Sequence, residues 1–151
     1  MGISVAGHWE LSWSAPLKES ELWNFPLREF DVTEWWMWPV TGIIQREAKV
    51  NLHERRDLYE ILEEAEGTRV FLEPRKEFQQ FPSGSNVDLP DFEHPENPLY
   101  IFGSNHFNPT IAHVREGDPI VTIPTVRNDG VLWPHQCLVA LLYDRMVKSC
   151  R

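Results

Sequence analysis

The sequence predicts an α/β protein with a mostly parallel sheet and helices on both of its faces. Three observations carry the prediction. Short apolar runs alternate along the chain with amphipathic stretches, the mark of strand–helix–strand units. The run Glu34 to Val40, with Trp35, Trp36, Met37 and Trp38, is too apolar and aromatic for a segment facing water, so it suits a sheet covered on both sides. Late in the chain, Leu99 to Phe102 and Ile120 to Ile123 each end in a Gly- or Pro-marked loop, and an apolar helix follows.

Taken in order, Ile3 to Trp9 is a first strand, with β-branched residues and an aromatic, and Ser12 to Pro16 is a loop. Lys18 to Phe30 is a helix broken near Pro26, because proline removes one backbone donor and crowds the preceding turn. Glu34 to Val40 is the second strand, stopped by Pro39 and Gly42. Asn51 to Glu66 places Leu52, Leu58, Ile61, Leu62 and Ala65 on one stripe, which predicts a helix capped by Asn51 and ended by Gly67. Arg69 to Leu72 is a strand. Residues 74–98, rich in Pro, Gly, Ser and Asn, form a long irregular connection with room for one short helix. Strands over Leu99–Phe102 and Ile120–Ile123 follow. Pro134 opens the last helix, which runs to Lys148 and carries Leu138, Val139, Leu141, Leu142, Met146 and Val147.

At 151 residues the chain is expected to form one domain, long enough to bury roughly 70% of its unfolded surface. Apolar residues at 42% and charged residues at 25% fit a globular, soluble chain. Fourteen basic against 23 acidic side chains leave a net charge of −9, which argues against a broad nucleic-acid-binding face. Cys137 and Cys150 make no disulfide framework, so both are expected reduced, in the cytoplasm. No apolar run approaches the ~20 residues of a membrane span, and the first residues lack the basic and apolar regions of a signal peptide. The spacing of the six histidines suggests no metal site.

The candidate site follows from the strand ends. Loops at the carboxyl ends of parallel strands form the ligand edge of an open α/β sheet. Three such loops, at Gly103, at Pro124 and at Val131–Trp133, offer backbone groups that could hold a nucleoside without a charged side chain. Each residue also has a plainer role. Gly103 suits a tight turn, Ile123 and Pro124 can simply end a strand, and Trp133 can pack against the helix start rather than stack on a ring.

Gly103-Ser104-Asn105, Ile123-Pro124, Val131-Leu132-Trp133 and Leu142-Tyr143-Asp144-Arg145, in this order, resemble the C-terminal half of the SPOUT methyltransferases of the SpoU/TrmH type. Their counterparts there are a strand ending in Gly-Ser-Glu, a strand ending in Ile-Pro, a Ser-Leu-Asn segment and a closing helix containing Leu-Tyr. The resemblance implies a C-terminal trefoil knot, a homodimer, S-adenosylmethionine as cofactor and an RNA substrate, with a ribose 2′-hydroxyl as acceptor. It implies cofactor contacts at Phe102, Gly103, Ser104, Ile123, Pro124, Val131 and Leu132, and substrate contacts at Asn105, His106 and Trp133. The family also carries an Asn and a catalytic Arg in its first loop and helix. This chain reads Pro16-Leu17-Lys18-Glu19-Ser20-Glu21-Leu22-Trp23 there, and Arg28 lies several residues too late. Lys18 is the nearest candidate cation, though a solvated surface lysine is the plainer reading. The missing Arg keeps a second expectation open: a knotted binding or scaffold module without catalysis.

Overall fold

The buried, β-branched and aromatic segments do assemble into parallel strands. In the computed structural model, residues 2–10, 16–42, 50–74, 85–104, 110–127 and 132–150 are described. The strands are β1 (Ser4–His8), β2 (Glu34–Trp38), β3 (Asn51–Glu54), β4 (Thr68–Leu72), β5 (Ser85–Asp88), β6 (Pro98–Phe102) and β7 (Pro119–Thr122). The helices are α1 (Pro16–Glu29), α2 (Leu58–Glu64) and α3 (Pro134–Ser149), with single 3-10 turns at Leu89–Asp91 and Ile111–His113. The strand order is β3-β2-β1-β6-β4-β7-β5, and every described pairing is parallel.

Both faces of the sheet are covered. Val5, Trp35, Tyr100 and Val121 point to one side, where Trp23 and Leu27 of α1 and Leu138, Leu141 and Leu142 of α3 join them. Ala6, Trp36, Ile101 and Ile120 point to the other, against Leu58 and Ile61 of α2. This alternation is the period-2 geometry of a strand buried twice. It also settles the tryptophan run: Trp35 packs on one side, Trp36 and Trp38 on the other, and all three are core. Gly7 is fixed by packing, because a Cβ there would meet Cη2 of Trp23 at 2.5 Å.

Three expectations are corrected. The helix expected over Asn51 to Glu66 is a strand followed by a shorter helix. Asn51–Glu54 pairs with β2, in register Trp35↔Leu52, and helix begins only at Leu58, where Asp57 Oδ1 accepts from the Glu60 amide at 3.0 Å. Leu52 therefore belongs to the core face of a strand, and Asp57 rather than Asn51 is the cap. Gly67 serves β4 instead of the helix. Its φ is +123°, and a Cβ there would lie 2.9 Å from the Asn97 carbonyl that accepts from Thr68 N.

Second, α1 runs unbroken through Pro26. Buried Trp23, Asn24 and Leu27 hold its inner side, while Leu22 and Phe25 stay exposed. Third, the irregular connection contains β5, which pairs with β7 from Ser85↔Pro119 to Asp88↔Thr122, followed by the 3-10 turn. The loop expected from Ser12 lies mostly outside the described residues.

Candidate functional site

Parallel strands deliver their carboxyl ends to one edge, so each residue that follows a central strand arrives there. Trp9 and Glu10 follow β1, Glu73 follows β4, Gly103 and Ser104 follow β6, and Ile123 and Pro124 follow β7. The β6 and β7 loops are separated by β4 alone, hence by about 10 Å. Hydrogen bonds tie the chain past the strand ends: Glu73 N donates to Val121 O at 3.1 Å, and the Thr122 side-chain Oγ1 donates to Glu73 O at 2.6 Å.

The start of α3 comes near this edge, close enough for the Glu73 charge to act on Cys137. Cys137 and Ile123 pack on the same core cluster as Phe102 and Val121, and the Cys137 thiol approaches Leu132 O at 3.9 Å. Burial pushes the Cys137 pKa up to about 12; its own backbone hydrogen bond opposes this and the Glu73 charge adds to it. The thiol is therefore a protonated packing group and not a nucleophile. Trp133 caps its own helix through the main chain, its N–H donating to Gln136 Oε1 at 2.9 Å. Its half-buried ring meets His135 edge-on, at 6.4 Å between centroids.

The predicted residues thus divide into three groups. Phe102, Gly103, Ser104, Ile123, Pro124, Leu132 and Trp133 lie along one edge of the fold. Asn105, His106 and Val131 lie outside the described residues. Lys18 is exposed on the first turn of α1, and no described contact joins it to the strand-end loops.

Sequence reasoning missed the buried acids. Glu10, Glu19 and Glu73 are each less than 10% exposed. Glu10 N donates to Glu19 Oε1 at 2.6 Å, Ser104 Oγ donates to Glu10 Oε2 at 3.2 Å, and Thr110 Oγ1 donates to Glu73 Oε1. Burial raises the Glu19 pKa; the Glu10 amide opposes it, and the Glu10 carboxylate raises it further. A signal was present, since Glu10 and Glu73 each stand directly behind an apolar strand, where a parallel sheet presents its ligand edge.

No family model matches the sequence, and no curated protein matches it. Solved structures do. The SpoU methyltransferase AviRb from Streptomyces viridochromogenes, in complex with AdoMet, superposes with a TM-score of 0.71 at 11% identity, over 99% of this chain and 60% of that one. An AdoMet-bound rRNA methyltransferase from Sinorhizobium meliloti gives 0.68 at 11% identity, over 97% of this chain and 56% of that one. A structure concerned with the 2-OH methylation of C/U34 on tRNA gives 0.65 at 12% identity, over 100% of this chain and 93% of that one. The chain spans a little over half the length of the first two. Strand order, covered faces and these superpositions together give the chain the fold of the SpoU/TrmH-type SPOUT methyltransferases.

Proposed function

We propose that this chain is a divergent member of that family, a single domain over residues 1–151 that binds S-adenosylmethionine and transfers its methyl group to RNA, at a ribose 2′-hydroxyl. The observation that carries the reading is the meeting of the β6 loop, the β7 loop and the start of α3 at one edge, within a fold shared over nearly the whole chain. The residues suit the cofactor. Ile123 and Leu132 supply apolar walls for an adenine above the buried Phe102; Gly103 and Pro124 bring main-chain atoms to the same edge, and the nearby carboxylates favour a cationic sulfonium. Bound there, S-adenosylmethionine supplies an electrophilic methyl group, and the chain's task is to align an acceptor with it and exclude water. Val131 completes the cofactor loop in this reading, and Asn105, His106 and Trp133 meet the substrate. The same reading includes a C-terminal trefoil knot, a cytoplasmic location and a homodimer. Exposed Leu22 and Phe25 on α1, with Val139, Tyr143 and Met146 on the neighbouring α3, support the dimer.

One observation favours a second reading, a binding module without catalysis. Where the family places an Arg, α1 brings the buried Glu19 against Glu10. Thermal-shift titration with S-adenosylmethionine and S-adenosylhomocysteine separates non-binders from binders, since a ligand at 100 times its Kd adds ~2.7 kcal/mol. Tritiated methyl transfer to bulk RNA then separates the enzyme from the module. No shift at millimolar ligand overturns the cofactor assignment. Light scattering checks the dimer, which Phe25→Lys with Met146→Lys is expected to convert to monomer.

A further inference from the structure

The C-terminal half of α3 is tied to residues 89–97 by hydrogen bonds whose direction chemistry dictates. Arg145 Nη1 lies 2.7 Å from Pro95 O and 3.2 Å from the Tyr100 hydroxyl, and Nη2 lies 3.2 Å from Glu96 O. The same hydroxyl lies 2.6 Å from His94 Nδ1. On the other side of the ring, His94 Nε2 lies 2.8 Å from Asp144 Oδ2, which also takes Lys148 Nζ at 2.7 Å. Lys148 donates onward to the carbonyls of Leu89 and Phe92, at 2.7 and 2.9 Å.

A guanidinium only donates and a carboxylate only accepts. One assignment satisfies the whole run: Arg145 donates to the Tyr100 oxygen, Tyr100 donates to Nδ1, and Nε2–H donates to Asp144. That assignment requires a neutral His94 with its proton on Nε2. A second proton turns Nδ1 into a donor. The Tyr100 oxygen must then accept from both Arg145 and His94, and its own hydrogen loses the acceptor it had, on a residue that is fully buried.

The surrounding charges point the same way. From α3, the imidazolium would face the cations of Lys148 and Arg145 as well as the single carboxylate of Asp144. From β6 it meets only the Tyr100 hydroxyl. On its own segment, Asp91 and Glu93 line a groove of about 460 Å³ shared with Arg145 and Lys148. Burial is the largest influence holding the His94 pKa below its ordinary value; Asp144 opposes it, and Lys148 and Arg145 reinforce it.

We propose that His94 is an acid-operated latch. Neutral, it completes the lock of residues 89–97 on α3; on taking a second proton it leaves that lock to the carbonyl bonds of Arg145 and Lys148, so the segment loosens and the groove between them widens. The device is independent of the cofactor edge and of the reaction proposed there.

Imidazole nitrogen NMR on the wild-type protein between pH 4.5 and 8 tests the proposal. His94 is expected as the Nε2–H tautomer at pH 7.5, titrating below the ordinary histidine value of about 6.5. As it titrates, amide protection, corrected for the intrinsic exchange rate, should fall at least tenfold in residues 89–97 and in the last two turns of α3. Amides of β1 and β4 should hold. His94→Gln should abolish the selective loss, and the wild-type spectra stand by themselves if that variant does not fold. An Nδ1–H tautomer, titration at or above the ordinary histidine value of about 6.5, or a loss of protection spread evenly over the sheet would overturn the latch.

Discussion

Two buried ionisable groups in this chain respond to acid in opposite senses. At the carboxyl edge, burial raises the Glu19 pKa, so the folded protein holds that proton more tightly than the unfolded chain does. Its contribution to stability is present below the ordinary carboxylate value and is lost as pH rises through the higher folded value. Within the latch, burial lowers the His94 pKa. That contribution is present above the ordinary histidine value and is lost as pH falls towards the lower folded one. Acid relaxes the first region and loosens the second. The difference teaches where this fold accepts electrostatic strain: at the sheet edge α1 buries the Glu19 carboxylate, with the Glu10 charge adding to the cost, whereas α3 matches Asp144 with Lys148 and His94 far from that edge. Local inconsistency of this sort is expected at a functional site and not in a structural clamp.

The strongest way to break the contrast is Asp144→Ala. The substitution leaves His94 Nε2 and the Lys148 ammonium without their shared acceptor, with the His94 side chain only 5% exposed. Asp144 itself is partly exposed, which tempers the cost. A loss of about 2–3 kcal/mol is expected at pH 7.5 by urea unfolding. A loss below 0.5 kcal/mol would mean that the clamp holds α3 through its backbone alone.

Glu19→Gln comes next and has the opposite sign. The amide keeps the shape and an oxygen for the Glu10 N–H, while the buried charge and its repulsion by Glu10 disappear. Stability should rise by roughly 1 kcal/mol at pH 7.5, and the gain should shrink as pH falls towards 4.5 and the wild-type carboxyl takes up its proton. Urea midpoints at several pH values check the sign. A gain that grows on acidification contradicts the assignment.

The same division between consistent and strained regions explains what could be read from sequence. β1, β2, β4, β6 and β7 were legible because each is buried on both faces, so its residues are apolar in unbroken runs. β3 and β5 were not, and they are the two ends of the sheet. An edge strand is free to carry Asn51, His53 and Glu54, or Ser85, Asn86 and Asp88, and polar residues erase the strand pattern. The loops after β6 and β7 were legible because Gly103 and Pro124 punctuate them. The burial of Glu10 and Glu19 was not, since α1 covers them only in the folded chain. The role of Asp144 and Arg145 was not legible either, because His94 lies 50 residues from Asp144 and the Pro95 and Glu96 carbonyls are beyond any local pattern.

Ser104→Ala is the subtlest test and sharpens the contrast most. Its hydroxyl donates to Glu10 at 3.2 Å, near the long end for such a bond, from a half-buried position. Removing it should cost about 0.5–1 kcal/mol in urea unfolding, because the bond is long and its donor half-exposed, although Glu10 is buried. In the latch, losing a donor leaves a buried group short with no ligand nearby to replace it; at the carboxyl edge, it leaves the buried Glu10 carboxylate one donor short beside the proposed ligand site, where a bound ligand could supply one. Near-unchanged stability with altered S-adenosylmethionine binding is therefore the signature of an edge built for a ligand. A cost above 2 kcal/mol would show Ser104 and Glu10 acting as a clamp like the one on α3, and the two regions would no longer differ in kind.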